Sequence, residues 1–293
     1  MHKSGFVNIV GNPNVGKSTL MNLLVGERIS IATFKAQTTR HRIMGIVNTD
    51  DAQIVLSDTP GVLKPAYKLQ ESMLQFSESA LQDADVLLYV TDVVEEPEKN
   101  ADFLAKVQRM DVPVLLVINK IDLSDQAAVA ALIERWQALL PRAEVYPISA
   151  KARFGHQAIL SRIKELLPES PPYFGKDQWT DKPARFFVSE IIREKILLYY
   201  DKEIPYAVQV VVEEFHEQEA RIDIRAVIYV ERESQKGILI GHRGVALKRT
   251  GIESRRALER FFGKRINLET YVKVDKDWRN SDRELRNFGY SPE

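Results

Sequence analysis

The apolar residues in the first 168 positions fall into short runs that alternate with longer amphipathic stretches. The short runs predict β-strands at residues 6–10, 43–48, 53–57, 86–91, 114–119 and 144–148. The amphipathic stretches predict helices at residues 17–26, 69–82, 100–110, 125–140 and 155–167. The second and third strands meet at a tight turn and are expected to form a hairpin. The pattern therefore predicts an α/β domain with a mixed six-stranded sheet and helices on both faces.

A different pattern follows a proline-rich stretch at residues 169–183, which lacks helical periodicity and is interpreted as a linker. Beyond it the sequence predicts a helix, two strands, two helices, a strand and a last helix, at residues 184–200, 207–214, 220–231, 234–240, 245–262, 267–274 and 277–288. The chain is thus expected to contain an α/β domain at residues 1–168 and an α+β domain at residues 184–293.

The composition limits the classes of protein to which the chain could belong. Its 293 residues include no cysteine, which excludes disulfides and thiolate metal sites and suits a reducing cytosol. Residues 1–5 lack the apolar segment of a signal peptide, and no apolar run is long enough to span a membrane. The net charge is zero, but residues 236–279 carry 12 basic and 5 acidic side chains, a net charge of +7. This block indicates a localised site for a polyanion, with an ordinary solvated surface as the alternative.

A complete G-x-x-x-x-G-K-S sequence at residues 11–18, here called the phosphate loop, directly follows the first predicted strand. Its two glycines let the backbone approach a phosphate closely, and its N–H groups point at negative charge together with the N-terminus of the next helix. Lys17 is expected to reach the β- and γ-phosphates, and the Ser18 hydroxyl to bind Mg²⁺. The residues expected to bind the nucleotide here are Gly11, Asn12, Pro13, Asn14, Val15, Gly16, Lys17, Ser18 and Thr19.

Two further segments are candidates for contacts with Mg²⁺ and the γ-phosphate. Asp58 closes the third strand and could hold Mg²⁺ through water, while the N–H group of Gly61 could meet the γ-phosphate. Residues 35–42, here called the switch loop, precede the second strand, and a threonine hydroxyl in this loop could bind Mg²⁺. The sequence leaves open whether this ligand is Thr38 or Thr39, and a plain polar surface loop is the alternative.

A guanine-binding sequence ends the fifth predicted strand, where Asn119 and Lys120 are followed by Asp122. A carboxylate can accept two hydrogen bonds from the adjacent N1–H and amino groups of guanine, a donor pair that adenine lacks. Asp122 is therefore expected to select GTP and GDP over adenine nucleotides. After the sixth strand, a backbone N–H could reach the guanine O6 from the segment Ser149, Ala150 and Lys151.

The glycine pair of the second domain lies between two predicted helices, in the sequence Gly241, His242, Arg243 and Gly244. A G-x-x-G turn can bring helix N-termini and bare backbone against a nucleic-acid backbone. Together with the basic block, it predicts an RNA-binding fold of the type II KH class, and the alternative is a helical hairpin capped by glycines. The expected RNA-binding residues are Ile238, Ile240, Gly241, His242, Arg243, Gly244, Lys248 and Arg249.

The chain resembles the Era family of bacterial GTPases, which carry a C-terminal KH domain, over nearly its whole length. The resemblance rests on residues 11–18, 37–42, 58–61, 119–122, 149–151, 180–186, 190–195, 241–244 and 278–290. It implies a P-loop GTPase domain with a type II KH domain, cofactors GTP or GDP and Mg²⁺, and a role in assembly of the 30S ribosomal subunit. The implied partner is the 3′ region of small-subunit ribosomal RNA rather than DNA. The implied location is the cytoplasm, with peripheral contact to the inner face of the cell membrane as an additional expectation.

The resemblance also bears on hydrolysis, because Val62 follows Gly61 where many GTPases place a glutamine that orients water. Related GTPases that modify tRNA hold K⁺ with an asparagine at the position of Asn14, so K⁺ is a candidate cofactor. The alternative is that the Asn14 side chain only forms hydrogen bonds with the backbone of the phosphate loop. The candidate catalytic residues are Lys17, Asn14 and Thr39.

The expected cycle has three steps: Mg²⁺ and GTP order the switch loop, the KH groove becomes available to RNA, and hydrolysis releases the RNA. Two other functions stay open. One is a GTPase in tRNA modification or at the membrane with a C-terminal protein-binding module. The other is a binding protein with negligible hydrolysis.

Overall fold

The computed structural model describes residues 2–290, for Glu98 the backbone only, so the outer limits of the two predicted domains lie outside the described residues. The chain forms two compact units. The first extends to Asp181, with the exception of residues Tyr67–Leu69, and the second begins at Lys182.

The first unit alternates strands and helices as predicted. Its strands are β1 (Lys3–Gly11), β2 (Ile43–Asn48), β3 (Ala52–Asp58), β4 (Val86–Asp92), β5 (Val114–Asn119) and β6 (Glu144–Pro147). Its helices are α1 (Lys17–Val25), α2 (Lys68–Ser79), α3 (Ala101–Gln108), α4 (Gln126–Leu139) and α5 (His156–Leu166). The sheet has the order β2-β3-β1-β4-β5-β6, in which only β2 runs antiparallel to its neighbour. The predicted mixed six-stranded sheet is confirmed.

The centre of this sheet is buried on both faces. Every residue of β3 and β4 is buried, as expected for parallel strands covered by helices. Since parallel strands end at the same edge of a sheet, the segments that follow β1, β3 and β5 are brought together there. This edge carries the phosphate loop, Asp58 and Asn119.

The segment predicted as a linker covers the exposed edge of the first sheet. Ile46 donates its backbone N–H to the carbonyl of Trp179 at 3.0 Å, and Met44 donates its N–H to Asp181 Oδ1 at 2.9 Å. These bonds satisfy backbone groups of the edge strand β2 that would otherwise face water. The segment is irregular, as its proline content predicts, but it is packed against the sheet.

The second unit contains three strands and five α-helices among the described residues. The strands are β7 (Gln209–Glu217), β8 (Arg221–Val230) and β9 (Arg265–Val274), and the helices are α6 (Ala184–Tyr199), α7 (Ile204–Ala207), α8 (Glu233–Ile240), α9 (Val245–Phe262) and α10 (Asp282–Asn287). The sheet has the order β7-β8-β9, with β7 antiparallel and β9 parallel to β8. Its core packs Ile192 and Leu258 against Ile228. The predicted order of helix, two strands, two helices and strand is confirmed.

Two helical segments differ from the sequence prediction. Helix α7 has four residues, too few for a hydrophobic period to show in the sequence. The last predicted helix is divided into a 3₁₀ turn, Trp278–Asn280, and α10. The division follows from Ser281, whose side chain accepts a hydrogen bond from the Glu284 N–H at 3.3 Å and so begins a new helix. Within residues 2–290, no helix is long and apolar enough to cross a membrane.

Candidate functional site

The phosphate loop has a backbone that its sequence dictates. Gly11 and Gly16 have φ angles of 145° and 97°, and a Cβ at these positions would lie 2.1 Å from the Val90 carbonyl oxygen and 2.2 Å from Asn119 Nδ2. Asn14 lies in the left-handed region with a φ of 67°, which asparagine tolerates better than most residues. The loop is therefore held in a conformation that only these residue types allow.

Lys17 is buried beneath the loop. Its Nζ donates hydrogen bonds to the backbone carbonyls of Gly11 at 3.0 Å and Asn12 at 2.8 Å. Burial lowers the pKa of Lys17 to about 8, against the opposing attraction of Asp58 and Glu95. A desolvated ammonium gains strongly from a polyanion placed beside it, as expected of a phosphate-binding lysine.

Three side-chain oxygens meet beside Lys17. The Ser18 hydroxyl donates to Asp58 Oδ2 at 2.7 Å, and Thr39 Oγ1 lies 2.8 Å from Ser18 Oγ and 3.3 Å from Asp58 Oδ2. Burial raises the pKa of Asp58, while Lys17 and the hydroxyl donors lower it. Two hydroxyls and one carboxylate at this spacing fit a hard divalent cation such as Mg²⁺.

The structure distinguishes the two threonines that the sequence left open. The Thr38 hydroxyl donates to the Lys35 carbonyl at 2.7 Å and lies 2.9 Å from Thr33 Oγ1, so it is engaged by the switch loop and by Thr33 just before it. Thr39 is buried and lies beside Ser18 and Asp58. Thr39 is therefore the better placed of the two to bind Mg²⁺.

A cleft of about 360 Å³ opens above these groups. It is lined by the phosphate loop, the switch loop and Gly61. A Cβ at Gly61 would lie 2.7 Å from the Pro13 Cα, so only glycine fits where the two segments meet. The cleft thus combines a buried lysine, bare backbone and the hydroxyls of Ser18 and Thr39.

Val62 does not face this cleft. It is 4% exposed and belongs to the apolar core, while its N–H donates to the Gly11 carbonyl at 3.1 Å. Val62, the residue after Gly61, thus packs in the core, and its apolar side chain cannot orient a water molecule.

Asn119, at the end of β5, joins three segments of the chain. Its Nδ2 donates to the Val15 carbonyl at 2.9 Å, and its Oδ1 accepts from the N–H groups of Lys120 at 2.8 Å and Ala150 at 3.0 Å. The predicted guanine-binding segments are therefore fixed to each other and to the phosphate loop by one buried amide.

Lys120 and Asp122 extend from this amide toward solvent. The Lys120 Nζ donates to the Asn14 carbonyl at 2.6 Å and to Asp92 Oδ2 at 2.5 Å. Asp122 is exposed and accepts a hydrogen bond from the Ser149 hydroxyl at 2.6 Å. Lys151 is exposed nearby in sequence. Sequence reasoning missed Asp92, although its place at the end of β4, next to β5, could have indicated it.

The glycine pair of the second unit forms a tight turn between α8 and α9. Gly241 and Gly244 have φ angles of 74° and 77°, and a Cβ at Gly241 would lie 2.6 Å from the Ala246 Cβ. His242 and Arg243 are exposed between them. The turn therefore presents two side chains and close-packed backbone to solvent, as the G-x-x-G sequence predicts.

The positive charge around this turn is available, whereas much of the remaining basic block is paired. Ion pairs join Arg255 to Glu259, Arg256 to Glu253, Lys264 to Glu217, Lys273 to Glu213 and Arg279 to Glu231. Among the described residues, no acidic partner lies within ion-pair distance of Lys236, Arg243, Lys248 or Arg249. The Arg249 guanidinium lies over the Tyr199 ring at 4.3 Å from its centroid.

An exposed apolar strip accompanies these charges. Ile238, Val245 and Ile252 are 53%, 66% and 37% exposed, and Ile240 is half-buried. Sequence reasoning missed Val245 and Ile252, which lie seven residues apart and therefore on one face of α9. Exposed apolar side chains and cations without acidic partners on the same helices suit the bases and phosphates of a single strand.

Both units of the chain are similar to known proteins. A family model described as a 50S ribosome-binding GTPase matches residues 6–120, and a KH domain model matches residues 203–279. GTPase Era of Staphylococcus haemolyticus (strain JCSC1435) is 43% identical over 291 residues, which are 99% of this chain and 97% of that protein.

Two solved structures are also similar over the whole chain. An Aquifex aeolicus Era variant bound to GDP and AlF4⁻ is 38% identical with a TM-score of 0.94, covering 99% of this chain and 100% of that one. Era in complex with MgGDPNP and nucleotides 1506–1542 of 16S ribosomal RNA is 37% identical with a TM-score of 0.95, covering 100% of both chains.

Proposed function

The chain belongs to the Era family of GTPases, and from this premise we propose that it is a GTP-hydrolysing switch protein of ribosome assembly. In this proposal it binds the 3′ region of small-subunit ribosomal RNA through its KH domain and acts in maturation of the 30S subunit. The observation that carries the enzymatic half is the convergence of Ser18, Thr39 and Asp58 beside the buried Lys17.

The nucleotide site supports GTP as the substrate. Lys17 and the loop N–H groups bind the phosphates, and Asp122 accepts the two guanine N–H donors. Mg²⁺, when bound by Ser18, Thr39 and Asp58, neutralises charge on the β- and γ-phosphates. The groups of this site are preorganised, since each is held by hydrogen bonds within the unit, and stabilisation of developing charge is what hydrolysis requires.

The second unit supports RNA as the partner. Unpaired cations, the exposed G-x-x-G turn and the apolar strip lie together on α8 and α9. We assign the GTPase domain to residues 1–168, the linker to 169–183 and the KH domain to 184–293 as part of this proposal. A ribosome-assembly GTPase works in the cytoplasm, and peripheral membrane contact stays a prediction.

The test combines RNA binding and crosslinking. A fragment from the 3′ end of 16S ribosomal RNA is expected to bind more tightly with a GTP analogue than with GDP, and crosslinks are expected within residues 238–256. Crosslinks outside this range, or an absence of RNA binding, would instead favour a protein-binding module. A single-turnover hydrolysis assay separates the enzyme from a protein that only binds GTP.

A further inference from the structure

Arg42, at the end of the switch loop, joins three separate parts of the first unit. Its Nε donates to Ser57 Oγ at 2.6 Å, and its Nη2 donates to Asn8 Oδ1 at 3.1 Å. Its two terminal nitrogens donate to the two carboxylate oxygens of Asp83 at 2.7 and 2.9 Å. A planar guanidinium with parallel bonds to one carboxylate is the strongest geometry available to such a pair.

Asn8, in β1, completes this hydrogen-bond network around Arg42. Its side chain is buried in β1, and its Nδ2 donates to the Ala80 carbonyl and to Asp83 Oδ1, both at 2.7 Å. The Arg42 side chain is only 13% exposed, so these bonds are partly shielded from water. Arg42 is thus anchored to the segment just after α2 by both a carboxylate and a buried amide.

The same helix also holds the segment that follows β3. The Ser77 hydroxyl, near the end of α2, is buried and donates to the Pro60 carbonyl at 2.8 Å. Ser57, which accepts from Arg42, directly precedes Asp58 in β3. The switch loop and the Asp58 segment are therefore tied to each other at Ser57 and both tied to the end of α2.

We propose that Arg42 is a positioning residue that holds Thr39 against Ser18 and Asp58. Arg42 follows Thr39 by three positions, a span of about 10 Å at full extension, so anchoring Arg42 restricts where Thr39 can lie. The inference rests on the proposed function, because the loop position matters only if Thr39 serves Mg²⁺ and the γ-phosphate. The network then favours the loop arrangement of the GTP-bound state and contributes to the preference for GTP over GDP.

The test compares Arg42→Ala with Arg42→Lys and with the control Lys106→Ala. Lys106 also makes an ion pair with α2, through Glu78 at 2.5 Å, but it has no contact with the switch loop. Arg42→Ala is expected to lower kcat about tenfold and to weaken binding of a GTP analogue with little change for GDP. It should also raise the Mg²⁺ concentration for half-maximal rate. Arg42→Lys, which cannot form the paired bonds, should recover only part of the loss, and Lys106→Ala should match the parent.

Asp83→Ala and the double variant separate positioning from a general loss of stability. If Arg42 acts through Asp83, the double variant should be no worse than Arg42→Ala, whereas independent effects would multiply. Equal losses of GTP-analogue and GDP affinity, or parent-like kinetics in Arg42→Ala and Asp83→Ala, would overturn the inference. Asp83 is half-exposed, so its variant tests the inference even if Arg42→Ala fails to fold. A parent protein that binds GTP without hydrolysing it would instead overturn the proposed enzyme, while the ratio of GTP to GDP affinity would still test Arg42.

Discussion

The Lys120 Nζ donates a 2.6 Å hydrogen bond to the backbone carbonyl of Asn14. This bond fixes the phosphate loop to the segment that carries Asp122, so the phosphate and base sites are held at a set distance. The bond engages the backbone carbonyl of Asn14, while the Asn14 side chain stays exposed at the cleft. The amide of Asn14 is therefore placed where it could serve a ligand of the nucleotide site.

The first prediction concerns K⁺ at Asn14. Because Val62 is buried and no glutamine follows Gly61, we expect K⁺ held by the Asn14 amide to supply positive charge at the phosphates. Hydrolysis should be about tenfold faster in K⁺ than in Na⁺ at matched ionic strength. Asn14→Gly, which keeps the positive φ, should lose this difference, and Asn14→Asp should retain part of it. Equal rates in the two salts for the parent would show that Asn14 serves only the loop.

The second prediction concerns the choice of base at Asp122. Asp122→Asn replaces a carboxylate that accepts two guanine hydrogen bonds, and it should weaken GTP binding by about 3 kcal/mol. Binding of xanthosine triphosphate should improve, because xanthine carries an acceptor where guanine has its amino group. Ser149→Ala removes the hydroxyl that donates to Asp122 and accepts from the Ala152 N–H, and it should cost about 1 kcal/mol. Parent-like GTP affinity in Asp122→Asn would mean that guanine binds elsewhere.

The third prediction follows from the lowered pKa of Lys17, which is about 8. Phosphates favour the protonated amine and raise this pKa, so nucleotide binding takes up protons near pH 8. GTP affinity should be constant below about pH 7 and fall toward tenfold per pH unit above 8. Calorimetry in two buffers of different ionisation enthalpy should give an uptake of about half a proton at pH 8.

The variant Glu95→Gln tests the pKa of Lys17 without changing the lysine itself. The Glu95 carboxylate raises the pKa of Lys17, so its removal should lower that pKa further. The fall in GTP affinity should then begin at a lower pH than in the parent. A pH profile that is flat from 7 to 9, with no proton uptake, would contradict the assignment of Lys17 as the buried cation of the phosphate site.

The sequence predicted those parts of the site whose spacing along the chain is fixed by chemistry. The phosphate loop and the segment from Asn119 to Asp122 each act through contiguous backbone, so their residues could be identified without a structure. The choice between Thr38 and Thr39 could not be made, because two adjacent threonines look alike until the Lys35 carbonyl is seen to engage one of them.

Contacts between elements that are distant along the chain could not be predicted from the sequence. Arg42 meets Asn8, Ser57 and Asp83 because the sheet register and the end of α2 bring three elements to one place. No period or motif in the sequence specifies that meeting. The exposed pair Val245 and Ile252 was missed for a different reason, since apolar residues on a helix predict a buried face unless the packing leaves them open.

The last prediction separates the two units. His242→Asp combined with Arg243→Asp places two carboxylates on the exposed G-x-x-G turn, where phosphates of a bound strand should pass. Since phosphate contacts dominate nucleic-acid affinity, RNA binding should fall about a hundredfold, and its dependence on salt should weaken. Position 243 should accept aspartate, because Arg243, with a φ of 51°, lies in a region that aspartate tolerates better than most residues.

The control for this variant changes the same residue types elsewhere in the second unit. His216→Asp with Arg221→Asp alters two exposed side chains on β7 and β8 and should leave RNA affinity within about twofold of the parent. GTP hydrolysis should survive in both double variants, because the nucleotide residues lie in the first unit. Filter binding and hydrolysis are measured on the same preparations. Retained RNA affinity in the first double variant would show that the G-x-x-G turn is not part of the RNA site. An equal loss of RNA affinity in the control would show that binding responds to overall charge rather than to the turn.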